Sequence, residues 1–141
     1  MGIYLYKCIG VVKMIKRIVV AGCRDFNDYN IVSEYISRCI SRIKNDYELV
    51  FVSGGCRGAD MLGERFANEN GYKIERHIAN WKLYGRSAGP KRNKEMVEVS
   101  DYVICFWDGK SKGTKTTIEF AKRLKKELRV KMVGNAYPTA T

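Results

Sequence analysis

One histidine, His77, is the whole imidazole content of this chain of 141 residues, and its five cysteines, Cys8, Cys23, Cys39, Cys56 and Cys105, include no Cys-x-x-Cys pair. The odd number and wide spacing exclude a disulfide framework, and a zinc centre built from these residues is not expected. The thiols read as reduced side chains used as small hydrophobes. Long apolar runs are also missing. The longest are strand-sized, and Lys7 and Lys13 interrupt the N-terminal one. None reaches the roughly 20 residues that cross a bilayer, and the N-terminus lacks the basic start and cleavage site of a signal peptide. A cytoplasmic location without membrane contact is therefore expected. Internal repeats and low-complexity segments are absent as well. Acidic residues are scarce relative to basic ones, 15 against 26, which leaves a net charge of +11. That excess favours anionic partners such as nucleotides, nucleic acids or phosphosugars. It is concentrated late, through Lys110, Lys112, Lys115, Lys122, Arg123, Lys125, Lys126, Arg129 and Lys131. A solvated helix face accounts for several of these. Aromatics do not interleave with them as in base-stacking surfaces, so only weak nonspecific nucleic-acid binding is expected.

What is present is a globular composition, 45% hydrophobic, in a length suited to one core. Its organising stretch is Ser53-Gly54-Gly55-Cys56-Arg57-Gly58-Ala59-Asp60. The apolar run Leu49 to Val52 before it reads as a buried strand, and Met61 to Ala67 after it reads as a helix. Glycines at such a junction let the backbone turn tightly and approach a ligand. The first N–H groups of a helix have no partner within it and hold an anion readily. One such turn alone is equally well explained as a tight connection. Two more occur, however. Arg17 to Ala21 leads into Gly22-Cys23-Arg24-Asp25-Phe26, and Tyr102 to Trp107 leads into Asp108-Gly109-Lys110-Ser111-Lys112-Gly113-Thr114.

Strands and helices alternate along the rest. Asn27 or Asp28 caps a helix whose apolar stripe runs from Ile31 to Ile43 and which ends at Asn45-Asp46. Gly71 stops the next helix, and Tyr72 to Ile78 reads as a third strand. Ala79 to Asn93 reads as a long polar connection of functional type, with Pro90 in the first turn of the helix that follows. A helix from about Lys115 to Lys126 buries Ile118, Ala121 and Leu124, and Val130 to Val133 is a fifth strand. The pattern predicts an α/β, Rossmann-like three-layer sandwich with a mainly parallel five-stranded sheet in the order 3-2-1-4-5. Residues 1–13 form an N-terminal extension, either an extra edge strand or a segment contributing little. Residues 14–134 make a single domain, and residues 135–141 a loose tail. In such a sheet the loops after strands one, two and four converge at the switch point, where ligands bind.

These motifs, together with Asn80-Trp81, Tyr84-Gly85-x-x-Ala88-Gly89 and Arg92-Asn93, resemble the YspA-like family of the SLOG superfamily. The resemblance runs from about Lys16 to Val133. The superfamily joins the DNA-uptake protein DprA with the LOG lysine-decarboxylase-like enzymes. It implies a Rossmann-like domain that binds nucleotides or their derivatives, ADP-ribose types included, as a sensor or processor in stress or phage-conflict systems. LOG enzymes cleave a base from a nucleoside monophosphate with a Gly-Gly-x-Gly-Thr-x-x-Glu motif. Here Gly113-Thr114 match, but Thr117 stands at the glutamate position and Glu119 lies two residues on.

The expected function is therefore binding of a small phosphate-bearing nucleotide derivative, as sensor or sequestering protein. The alternatives are LOG-type N-glycosidic hydrolysis and DprA-like binding of single-stranded DNA. No cofactor or metal is expected, and a homodimer or higher homo-oligomer is. The ligand set comprises Gly22, Cys23, Arg24, Asp25 and Phe26 after the first strand. It adds Ser53, Gly54, Gly55, Arg57, Gly58 and Asp60 after the second, then Trp81, Tyr84, Arg92 and Asn93. The last loop gives Trp107, Asp108, Gly109, Ser111, Gly113 and Thr114. Arg24 would hold phosphate and Asp25 a ribose hydroxyl, unless Asp25 caps a helix and Arg24 is a surface cation. Gly54-Gly55 and Gly113-Thr114 would admit phosphate to the backbone. Trp81 and Tyr84 either stack a nucleobase or plug the end of the core. Arg92-Asn93 reach phosphate or form a surface ion pair. If hydrolysis occurs, Asp25, Asp108 and Glu119 are the candidate carboxylates; Asp60 fits a helix-dipole partner better than a base.

Overall fold

A computed structural model describes residues 5–7 and 10–134 of the chain. Strands β1 (Leu5–Lys7) and β2 (Gly10–Val12) pair antiparallel with each other in a two-stranded sheet of their own. The extension thus adds no strand to the main sheet, and it does form secondary structure. The tail expected at residues 135–141 lies outside the described residues.

The main sheet holds β3 (Met14–Gly22), β4 (Tyr47–Ser53), β5 (Lys73–Arg76), β6 (Tyr102–Trp107) and β7 (Glu127–Met132). Their order is β5-β4-β3-β6-β7, the expected 3-2-1-4-5, and every pairing is parallel. The central strands are buried on both faces, so β6 reads Tyr-Val-Ile-Cys-Phe-Trp without a polar break. One face carries α1 (Tyr29–Ile40) and α2 (Ala59–Glu69). Val32, Ile36, Ile40, Phe66 and Ala67 pack there on Ile18, Val20, Phe51 and Phe106. The other face carries α4 (Ala88–Val99) and α5 (Lys112–Arg123), which bring Met96, Val97, Ile118 and Ala121 onto Val19, Val52, Val103 and Cys105. The result is a three-layer Rossmann-like sandwich.

Element ends depart from the sequence reading in several places; β7, for one, starts at Glu127, three residues before Val130. Helix α1 stops at Ile40, and residues 41–46 are turns that carry Ile43 back onto the same core. Strand β5 is only four residues long, the span over which it pairs with β4. The connection before α4 is ordered as α3 (Trp81–Tyr84), which Asn80 caps by accepting from the Leu83 N–H, followed by a 3-10 turn at Gly85–Ser87. Helix α5 begins three residues early and ends at Arg123, which leaves Leu124 at its C-cap 36% exposed rather than buried.

Candidate functional site

The loops after β3, β4 and β6 meet at the carboxyl edge of the sheet, around a cleft of about 310 Å³. Gly22, Cys23, Arg24 and Asp25 come from the first loop, Arg57 and Asp60 from the second, and Asp108, Ser111, Gly113 and Thr114 from the third. Helix α4 contributes Arg92 and Asn93.

Glycines fix how the loops interlock. Gly58 sits at φ 84° as the residue before α2, and a side chain there would lie 2.4 Å from the Cys23 carbonyl oxygen. A Cβ on Gly22 would lie 2.3 Å from the Phe106 carbonyl oxygen and 2.6 Å from the Ala59 Cβ. The Cys23 N–H donates to the Phe106 carbonyl, and the Ala59 N–H donates to the Cys23 carbonyl. The first loop is therefore locked to the second loop and to the end of β6.

A buried polar system stands behind the second loop. Asp60 accepts from the Cys56 N–H at 3.3 Å. Arg92 donates from Nη1 to the Gly54 carbonyl at 2.9 Å, from Nε to Asn93 Oδ1 at 2.8 Å, and from Nη2 to the Cys56 sulfur at 3.7 Å. The sequence reading placed a phosphate against Gly54-Gly55. The position of a Gly54 Cβ is instead within 3 Å of Arg92 Nη1 and Asp60 Oδ2, and that of a Gly55 Cβ points to Ile78. Gly54 makes room for the protein's own arginine and carboxylate, and Gly55 supplies a turn at φ 72°. Burial pushes the Asp60 carboxyl up to about 6, against the opposing pull of the Cys56 N–H and Arg92. Further back, Ser53 donates to Glu64 at 2.7 Å and accepts from the Gly55 N–H at 3.0 Å. The buried Glu64 also takes Arg76 Nε at 2.9 Å, tying α2 to β5.

The third loop is an Asp108 turn. Its Oδ1 accepts from the Lys110 and Ser111 N–H groups, each at 2.8 Å, and these bonds hold the carboxyl below its usual range. Gly109 turns with φ 80°, and Trp107 Nε1 donates to the Ser111 carbonyl at 3.0 Å. Ser111 precedes α5 without capping it, and its hydroxyl donates to Thr114 Oγ1 at 2.8 Å. The space a Gly113 side chain would take is open. Gly113 and Thr114, which line the cleft, belong to the first turn of α5, where backbone N–H groups have no acceptor within the helix. Arg57 makes an exposed pair with Asp25 at 3.4 Å. Arg24 is exposed and has no ion pair among the described residues.

Several sequence candidates fall outside the cleft wall. Phe26 is buried and stacks on Phe106, so it belongs to the core. Ser53, Gly54, Gly55, Gly58, Trp107 and Gly109 shape the loops from behind. Trp81 and Tyr84 are exposed, which excludes a core plug. Glu119 is exposed on α5 and away from the cleft, whereas Thr117 lines it and donates to the Gly113 carbonyl at 3.1 Å. Ala21, Cys56, Met96 and Thr117 line the cleft without having been among the sequence candidates. Thr117 was legible as the residue one helical turn beyond Gly113 and Thr114. Ala21 and Met96 carry no polar signal. His77 bridges Glu75 at 3.2 Å and Glu95 at 2.8 Å, a structural role. Cys23 and Cys105 both have thiols pushed up by burial, Cys105 to about 12, so neither is a ready nucleophile. Among the described residues no cluster of ligands could hold a metal ion, and no helix is long and apolar enough to cross a membrane.

Comparison with known proteins agrees with this architecture. The gene 61 protein of Mycobacterium phage D29 is 33% identical over 114 residues, covering 77% of this chain and 90% of the phage protein. The fold matches DNA processing protein A (DprA) of Streptococcus pneumoniae with a TM-score of 0.62 at 21% identity, over 82% of this chain. It matches the Helicobacter pylori protein of that name, which has a single-stranded DNA binding mode, with a TM-score of 0.62 at 20% identity over 82% of this chain. The chain spans 49% of the first of these and 64% of the second. Residues 16–84 match the model of the YspA, cpYpsA-related SLOG family, and to that family this chain belongs.

Proposed function

We propose that the cleft binds a small phosphate-bearing nucleotide derivative of the ADP-ribose type, and that the protein acts as a sensor or sequestering protein for it. The observation that carries this reading is the open start of α5, where Gly113 leaves space in a turn whose N–H groups have no acceptor within the helix and Thr114 adds a hydroxyl. Arg24, Arg57 and Arg92 stand around the same space. Asp25 supplies an acceptor suited to a ribose hydroxyl. Self-association into a homodimer or larger oligomer and a cytoplasmic location belong to the same reading.

Binding without efficient turnover fits the carboxylates. Glu119 is remote from the cleft, and Thr117 occupies the place that the LOG motif gives to glutamate. Asp108 holds two backbone N–H groups through Oδ1. The test is a melting-temperature panel with AMP, ADP, ADP-ribose, ribose 5-phosphate and adenosine, with free base followed by chromatography. A ligand at 100 times its Kd stabilises the native state by about 2.7 kcal/mol. Phosphate-bearing members should raise the melting temperature and no base should appear. A flat response across the panel overturns the binding reading, and protein-dependent release of base overturns the absence of turnover.

A second reading, binding of single-stranded DNA, draws on the net charge of +11 and on the shared fold. It predicts affinity that survives physiological salt.

A further inference from the structure

Residues 80–87 are all exposed, although they contain Trp81, Leu83 and Tyr84. Nothing in the core explains why a tryptophan should be 52% exposed at that point. The segment is nevertheless firmly built. Asn80 caps α3 at its start, Gly85 ends it at φ 55°, and Ser87 Oγ donates to the Tyr84 carbonyl at 2.8 Å. The Trp81 ring lies against Gly89, where a Cβ would be 3.1 Å from Cη2. Glycine there lets the indole lie directly on α4, while much of the ring remains open to solvent.

The position matters as much as the exposure. Gly89, on which the indole rests, is three residues before Arg92 on α4, about one helical turn from a residue that lines the cleft. Ile78, which leads into this segment, lies against the position of a Gly55 side chain. The ledge thus stands on the helix that brings Arg92 and Asn93 into the cleft. Its charge is also one-sided. From Asn80 to Lys94 the chain has Lys82, Arg86, Lys91, Arg92 and Lys94 and no acidic residue. Lys91 Nζ already sits 4.8 Å from the Tyr84 ring centroid. An aromatic face set among cations with no carboxylate suits a flat base joined to phosphate.

We propose that Trp81 is the shelf on which the nucleobase of the bound ligand stacks, while its phosphate lies in the cleft. The proposal rests on the cleft reading above and extends it to a class of ligand. The partner is a nucleotide derivative that carries an aromatic base as well as phosphate, as ADP-ribose does and ribose 5-phosphate does not. Tyr84 and Lys91 edge the shelf.

The test uses the full chain as parent, Trp81→Phe and Trp81→Ala, with ADP-ribose and ribose 5-phosphate as calorimetric probes. Base stacking of this kind supports a loss of about tenfold in ADP-ribose affinity for Trp81→Ala. Trp81→Phe should retain most of it, and ribose 5-phosphate should bind all three alike. In the parent, ADP-ribose should quench tryptophan emission; the same ligand should leave the Trp107 emission of Trp81→Phe largely unchanged. If the parent binds both probes and Trp81→Ala binds ADP-ribose equally well, the shelf is overturned and the cleft stands. If both affinities fall together, Trp81 acts through the fold and the shelf is again overturned. A parent that binds neither probe overturns the cleft reading and the shelf with it. A loss of self-association in Trp81→Ala, with ADP-ribose affinity unchanged, reassigns the ledge to a second copy of the chain.

Discussion

Replacing Asp60 by asparagine should stabilise the protein at pH 8. The carboxyl is 6% exposed, and burial lifts it from 3.8 to about 6 despite the Cys56 N–H and Arg92. A group raised on folding contributes stability that is fully present below its unfolded value and is lost as pH climbs through the folded one. The ionised form of Asp60 is therefore the unfavourable one in the native state. The interval corresponds to about 3 kcal/mol at pH 8, falling to about half of that at pH 5. Asparagine is neutral throughout, and its carbonyl oxygen can still accept from the Cys56 N–H. For a chain of this size the gain is roughly 10 °C in Tm at pH 8, with a smaller difference at pH 5. Urea titrations of parent and Asp60→Asn at pH 5, 6, 7 and 8 measure it. Subtracting one protein from the other cancels the remaining titrating groups. If Asp60→Asn is less stable than the parent at pH 8, Arg92 outweighs desolvation and the reasoning fails. A difference that does not change with pH is equally fatal to it.

Thr114→Val should keep the fold and weaken ADP-ribose binding by about tenfold, since one hydrogen bond from a cleft hydroxyl is lost; calorimetry reads it directly. Gly58→Ala should lose at least about 2 kcal/mol in a denaturant titration, because a left-handed conformation and a clash with the Cys23 carbonyl coincide. A Gly58→Ala protein as stable as the parent would mean that the loops are not interlocked as described. Single-stranded DNA should bind weakly in about 50 mM salt and lose most of that affinity by about 200 mM, as fluorescence anisotropy would show. Retention of tight binding at the higher salt would favour the DNA reading.

The sheet was legible because its strands are buried on both sides. Runs such as Tyr102 to Trp107 have no polar break, and the helices between them carry clear apolar stripes. The strand order followed from the alternation, and the meeting of three loops followed from the order. Edges were harder. Strand β5 covers only Lys73–Arg76, although Tyr72 and Ile74 both pack on the core, and a local run does not mark where pairing with β4 stops. The three-residue offset at the start of α5 arose because Lys112, Gly113 and Thr114 look like loop but are the first turn of a helix. Cleft residues that carry charge or a glycine signal were found from their motifs. Ala21 and Met96 escaped because an apolar floor is indistinguishable from core in one dimension. Gly54 and Gly55 were read as space for a ligand, whereas Arg92, 38 residues after Gly54, fills the space at Gly54 and Ile78 lies beside Gly55. Only the packing of α4 against the β4 loop reveals it.

The lock among the loops constrains how this site can be altered. Gly22 touches the end of β6 and the start of α2, and Gly58 touches the first loop. A transplanted loop that carried a side chain at either position would meet backbone or side-chain atoms of its neighbour at under 3 Å. The first two loops are therefore one unit for engineering. Variation that redirects ligand choice has freer ground at Arg24 and Asp25, where side chains project into solvent, and at Trp81, which no neighbouring loop confines. A library randomised at those positions should yield folded proteins at a far higher rate than one randomised across the glycines.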